Sequence, residues 1–424
     1  MNGLEQALAH PPMVTAGLLG FAARRLAPGD IRASAGQCAA YLRYTRRGDP
    51  PADAVIAMAR RLPGGHGSRM IETAIEHGID AVPDPPPELV AFFDSLAVPY
   101  WVDTDQLELA SRVTARTGAA GFTALTMALL GGYLASRVAK TLVASGELEH
   151  MAPRRLAETA AWFAQVTDLG GLQPDAPGYK ATLRVRLLHA KVRAGLAATP
   201  GWDFDAWHHP VNQAQMSGTT MLFGWSLLNG SCGLGLKFTR RERAAVYHQW
   251  RYIGYLLGVD TAVLPVDEND AWKLWSIQAQ LEFTNPDQDS QRLAHALIQA
   301  IGPVLIGDGR DPLSRAGRIA VTEFLSACAR LALGQHYADF LGLSDRKTAQ
   351  GIVIAAVAAT AALEYPRRLL PGATRCAETL GRHTRSALTH RMATTQHQRR
   401  AASIDGEISC PSPASTSKRN RTCP

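Results

Sequence analysis

Clusters of proline and glycine cut this chain into helix-sized pieces. The segments "RRGDPPADAV", "RRLPGGHGS", "VPDPPPEL", "LQPDAPGYK", "AATPGWD" and "IGPVLIGDGRDP" each hold residues that start or stop a helix. Proline removes a backbone donor, and glycine admits backbone angles that other residues resist. Between them lie Ala/Leu/Arg-rich stretches of about 12–25 residues, the length of helices in an all-helical protein. Alternating β-branched runs joined by Asn-Gly or Asp-Gly turns are lacking. The expected fold is therefore all-α, with helices over about 117–145, about 178–198 and about 239–258 as its clearest members. With 424 residues, 46% of them hydrophobic and 19% charged, the chain can bury a large core.

Charge is unevenly placed. The net charge of +7 resides beyond Pro366, where eleven Lys/Arg face three acids; residues 1–365 sum to −1. The charge of this neutral body does not imply a duplex-binding face, and no nucleic acid partner is expected. The tail from about 394 is polar and aperiodic and is expected to be disordered. Six scattered cysteines without a C-x-x-C pair argue against a zinc ribbon, a thioredoxin-type site or covalently attached haem. At the N-terminus an acid precedes the apolar stretch and Arg24 and Arg25 follow it, the reverse of a signal peptide, so a cytoplasmic location is expected.

Twenty uncharged residues, Thr117 to Ser136, have the length of a membrane span, but their Gly/Ala/Thr content suits a central core helix equally. The thirteen-residue "GIVIAAVAATAAL" (351–363) is read as too short to span. No membrane span is expected.

Arg137, Lys140 and Thr141 follow the uncharged run at i, i+3, i+4 and share one helical face. Either they mark a solvated helix end, which suits the helix dipole, or they deliver a polar cluster to the edge of a buried pocket. His189, in "RVRLLHAKVR", falls with Val185, Leu188 and Val192 on an apolar stripe. Such a histidine is either a core residue with carbonyl partners or an iron ligand shielded from water, and arginines at the pocket edge, Arg186 and Arg193, would then pair with haem propionates. H-E-x-x-H, G-x-S-x-G and G-x-G-x-x-G are absent, and "GSCGLGLK" (230–237) lacks the Gly-Lys-Ser/Thr of a phosphate loop. His208 and His209 adjoin Pro210 and make a poor chelating pair, and Thr219 and Thr220 are weak candidates for the site.

Read in order, "GDPPADAVIA" (48–57), "SRVAKT" (136–141), "RVRLLHAKVR" (184–193), "HPVNQAQMSGTTMLF" (209–223) and "QWRYIGYLLGVDTAVLP" (249–265) resemble the haem-dependent oxygenases that include rubber oxygenase and the MpaB-type enzymes. The resemblance implies a globin-like helical core enclosing one haem b, with iron held by His189. It places Arg137, Lys140 and Thr141 on the opposite, distal side, with Lys140 a candidate ligand that must yield to dioxygen. It divides the chain into an N-terminal helical region (1–92), a haem-binding catalytic domain (93–370) and a basic tail (371–424). Relatives that cleave rubber carry a glutamate shortly before the Arg-x-x-Lys-Thr cluster, whereas residues 111–136 here contain no acid. The expected activity is oxidation or cleavage of an apolar isoprenoid or lipid-like substrate by dioxygen. The alternative is a haem-binding carrier or sensor. "QWRYIGYLLG" is assigned to the core.

Overall fold

The computed structural model describes residues 27, 29–145, 148–283 and 285–408, and every regular element among them is helical. In chain order these are α1 (Ala35–Tyr44), α2 (Pro50–Arg61), α3 (His66–His77), α4 (Pro87–Asp94), α5 (Thr104–Gly132), α6 (Ser136–Ala144), α7 (Leu148–Val166), α8 (Pro177–Ala197) and α9 (Phe204–Trp207). They continue as α10 (Gln213–Gly233), α11 (Arg240–Leu256), α12 (Glu268–Leu281), α13 (Gln288–Ile306), α14 (Pro312–Leu333), α15 (Gln335–Phe340), α16 (Lys347–Leu369) and α17 (Ala373–Ile408). Their starts follow local chemistry. Asp49 caps α2 ahead of Pro50, Ser34 and Gln37 form a capping box on α1, and Thr239 and Glu242 form another on α11.

Helix α5 is the axis, with α10, α11 and α17 packed along it. Helix α10 is hydrophobic on nearly every side and correspondingly buried. From α11 Trp250, Ile253 and Leu256, and from its C-cap Leu257, enter the core as expected, and Trp250 stacks on Phe223 at 5.3 Å and on Phe163 at 5.9 Å. The helices expected over about 178–198 and about 239–258 are α8 and α11.

The single helix expected over about 117–145 is two. α5 begins at Thr104 behind the Asp103 cap, ends after Gly131-Gly132, and is followed by α6 at a 93° bend. Within α5, Gly118 leaves helical geometry (φ 48°, ψ −127°) where Gly381 of α17 crosses; a Cβ on Gly381 would lie 2.0 Å from the Ala115 carbonyl oxygen. The uncharged run is therefore a broken core element, and the break turns Arg137 and Lys140 sideways.

The segment read as too short to span is part of a longer helix. α16 runs for 23 residues, long and apolar enough by length and composition to cross a membrane. Only its Val353 and Glu364 are buried, while Ile352, Ile354, Leu363, Tyr365 and Leu369 are exposed. Proline at position 366 does not stop it, and the helix carries the Lys347 and Arg367-Arg368 cations at its two ends. α17 likewise continues past 394 to Ile408, and the rest of the tail lies outside the described residues.

Candidate functional site

Helix α8 turns its arginines, not its valines, toward the protein. Thr182, Leu183, Arg186, Leu187, Ala190 and Arg193 form the buried face, while Leu188 is 54% exposed and Val185 and Val192 are part-covered. The reason lies on α2. Arg186 bridges Asp49 through Nε to Oδ2 at 2.7 Å and Nη2 to Oδ1 at 2.9 Å, with its guanidinium 4.8 Å from the Phe92 ring centre. Arg193 donates to Asp53 Oδ1 at 2.8 Å and to the Val211 carbonyl at 2.9 Å. Buried cations are tolerable when such partners satisfy them. Gly258, at φ 79°, closes over the Arg186 pair so tightly that a Cβ would lie 2.1 Å from Asp49 Oδ2. Both guanidinium groups are thus engaged on the α2 side, which differs from the propionate pairing expected from sequence.

His189 projects beside this face. Its Nδ1 is buried and has no hydrogen-bond partner. Burial, then the Arg193 charge, lowers its pKa to about 4, against a smaller opposing pull from Asp49, so the ring is neutral at physiological pH. The residue as a whole is part-covered, with Nδ1 on its buried side. A comparable pattern occurs on α10, where Thr219 is exposed and Leu222 and Phe223 are part-covered although Gly218, Thr220 and Met221 are buried. Thr220 spends its hydroxyl on the Met216 carbonyl at 2.8 Å.

The bend after α5 brings α6 against α9 and the end of α12. Arg137 donates through Nε to the Ala206 carbonyl (3.1 Å) and through Nη1 to the Leu281 carbonyl (3.0 Å), and Nη1 lies 3.5 Å from Glu282 Oε2. Lys140 pairs with Asp289 of α13 at 3.3 Å and sits 4.8 Å above the Trp207 ring. Thr141 is buried and donates to the Arg137 carbonyl at 3.2 Å. His208, held at φ 62°, has a buried unpartnered Nδ1 and a pKa lowered to about 4, by burial first and by Arg137 and Arg46 second. Arg137, Lys140 and Thr141 thus share one polar cluster; among the described residues no hydrogen bond or ion pair joins His189 to it. No group of three or more His, Cys, Asp or Glu suited to a metal ion occurs among the described residues, and His209 bonds locally to Pro210.

Glu282 was not anticipated from sequence. Its side chain is 4% exposed, both carboxylate oxygens lack hydrogen bonds, and burial raises its pKa against the opposing pull of Arg137. Tyr41 of α1, itself fully buried and hydrogen-bonded to Gln278, lies close enough to feel this charge. A signal existed: Glu282 is the single charged residue between Lys273 and Asp287, in a stretch rich in Trp, Leu and Ile. A lone acid in such a run points inward or terminates a helix, and here it does both.

Residues 115–363 match the family model for the catalytic domain of the ER-bound oxygenase MpaB/B′ and rubber oxygenase. The chain belongs to this family. The MpaB/rubber-oxygenase segment contains Arg137, Lys140, Thr141, His189 and Glu282, whereas Asp49 and Asp53 lie before it. The rubber oxygenase of Streptomyces sp. (strain K30) is 22% identical over 204 residues, 48% of this chain and 47% of that protein. The chain therefore spans about half the length of the curated relative it matches. The structure of latex clearing protein in its closed state superposes with a TM-score of 0.56 at 19% identity, covering 80% of this chain and 88% of that one, a likeness of fold.

Proposed function

We propose that this chain is a haem b-dependent oxygenase that uses dioxygen to oxidise or cleave an apolar isoprenoid or lipid-like substrate. Support comes from membership of the MpaB/rubber-oxygenase family. The single structural observation that carries the reading is His189, a part-covered imidazole whose Nδ1 is buried and without a hydrogen-bond partner. Such a nitrogen costs free energy unless some group satisfies it, and a haem iron is one that does. In this reading His189 would hold the iron, and Arg137, Lys140 and Thr141 would line the pocket in which dioxygen is activated.

The haem, when bound, supplies dioxygen activation, and the protein supplies ligation, orientation and proton handling. Arg137, anchored on two carbonyls, places a fixed positive charge at the pocket edge. Thr141 holds the turn of α6 that carries it. Lys140 would have to release Asp289 to reach an iron. Glu282 takes a proton at a carboxylate oxygen that no hydrogen bond occupies, and Arg137 stabilises the charged form. This carboxylate would do the work for which residues 111–136 offer no acid. Arg186 and Arg193 act by bracing α8 against α2.

The test is an absorption spectrum of the purified protein, as isolated and after haem reconstitution. A Soret band is expected, and His189→Ala should abolish it while the protein stays folded by circular dichroism. Folded, reconstituted wild type without a Soret band would end this reading. A Soret band without oxygen consumption on any candidate alkene would favour the carrier or sensor.

A further inference from the structure

Between α5, α7 and α17 lies a cavity of about 60 Å³ that the reading above does not use. Its walls include Leu125 and Leu129 of α5, Leu156 and Ala160 of α7, Met392 of α17 and Phe223 of α10. Five threonines also line it. Three of them spend their hydroxyls on their own helices, Thr117 on the Thr114 carbonyl at 2.7 Å, Thr126 on that of Phe122 at 3.0 Å and Thr389 on that of Arg385 at 3.1 Å. The lining cation, Arg385, donates to Thr167 at 2.9 Å and faces Asp168 at 3.4 Å. Thr114 keeps a buried hydroxyl without a partner.

A buried water takes two to four polar partners, and the accessible wall of this space is mostly apolar, so it favours an apolar occupant over water. Size then selects the occupant. An engineered apolar cavity of about 150 Å³ admits benzene or xenon; this one is less than half as large and excludes a ring or a folded alkyl chain. A diatomic gas or a noble-gas atom fits. Leu129 lies one turn before Tyr133, where α5 gives way to the helix of Arg137, and Phe223 shares its face of α10 with Thr219 and Leu222.

We infer that this cavity is a binding site for a small apolar gas, dioxygen in the cell, which it holds beside the α5–α6 bend. The supply of dioxygen to a reaction rests on the oxygenase reading; gas binding itself does not.

The full chain, without added haem, is equilibrated with xenon and followed by the xenon-129 chemical shift and by diffraction from xenon-pressurised crystals. A saturable shift and a xenon peak between Leu125 and Ala160 are expected. Ala160→Phe fills the space and should abolish both, while Leu129→Ala widens it and should strengthen binding, an arm that stands if the phenylalanine variant does not fold. Absence of xenon, an ordered water chain in its place, a folded Ala160→Phe protein that binds xenon unchanged, or Leu129→Ala without a gain would each overturn the inference. Xenon binding in a protein that takes up no haem would leave the gas site standing and remove the oxygenase reading. Haem uptake without xenon would do the reverse.

Discussion

Replacing Asp49 with alanine would strand the guanidinium of Arg186. The two side chains are 2% and 5% exposed and joined by bonds of 2.7 and 2.9 Å, so the survivor cannot recover water. Breaking a buried pair in this way costs about 3–5 kcal/mol, because the remaining charge stays desolvated. The lost N-cap adds only about 0.5 kcal/mol, the low end for such caps, since the bond from the Ala52 amide is long at 3.5 Å. Against a typical domain stability of about 5–15 kcal/mol the sum is large. Urea unfolding followed by circular dichroism should show it as a lower midpoint at unchanged slope. The loss should persist at high salt, because a buried pair is poorly screened. Asp49→Leu combined with Arg186→Met removes both charges and should recover most of the loss. A single variant that loses less than about 1 kcal/mol, the range of an exposed pair, would refute the reasoning. So would a double variant as unstable as the single.

Glu282→Gln addresses the buried carboxyl, which faces Arg137 of α6 and lies near Tyr41 of α1. Burial holds its pKa above the ordinary 4.5, so the folded protein keeps the proton to higher pH than the unfolded chain does. Its contribution to stability is full below that ordinary value and is lost as pH rises through the raised one. Wild-type unfolding free energy, measured relative to the Gln variant, should therefore fall as pH increases from below 4.5; a flat or rising difference would contradict the burial argument. On α16, Ile352 and Leu363 are 63% and 70% exposed. Exchanging both for lysine should alter unfolding free energy by no more than about 0.5 kcal/mol each and reduce binding of a hydrophobic dye. A larger loss on denaturant titration would mean that this face is covered.

Helix positions were largely legible in the sequence because their causes are local. Pro177 opens α8 at the helix position where its missing donor costs least, and the Thr239/Glu242 box opens α11. The bend between α5 and α6 was missed although Gly131-Gly132 marks it, since glycine within a small-residue run also suits a continuous core helix. The buried face of α8 was misread for a different reason. A hydrophobicity pattern sends arginine outward, and only partners on another helix reverse that preference. Arg186 and Asp49 are 137 residues apart, so no window along the chain contains both. Glu282 escaped notice for the same reason: nothing near it in sequence announces Arg137, which lies across the bend.

From its sequence alone this protein was determined to be all-helical, with the starts of α8 and α11 set and with a histidine and an Arg-x-x-Lys-Thr cluster carried on two helices. Capping, proline geometry and glycine freedom act within a few residues, so the linear order of residues contains them. Tertiary structure alone decided which face of α8 is buried, where α5 breaks, that Glu282 stands beside Arg137, and that a small, mostly apolar space remains between α5 and α7. Those outcomes depend on which charges can find partners and which side chains can fill a gap once distant segments pack, and such contacts exist only in the folded chain.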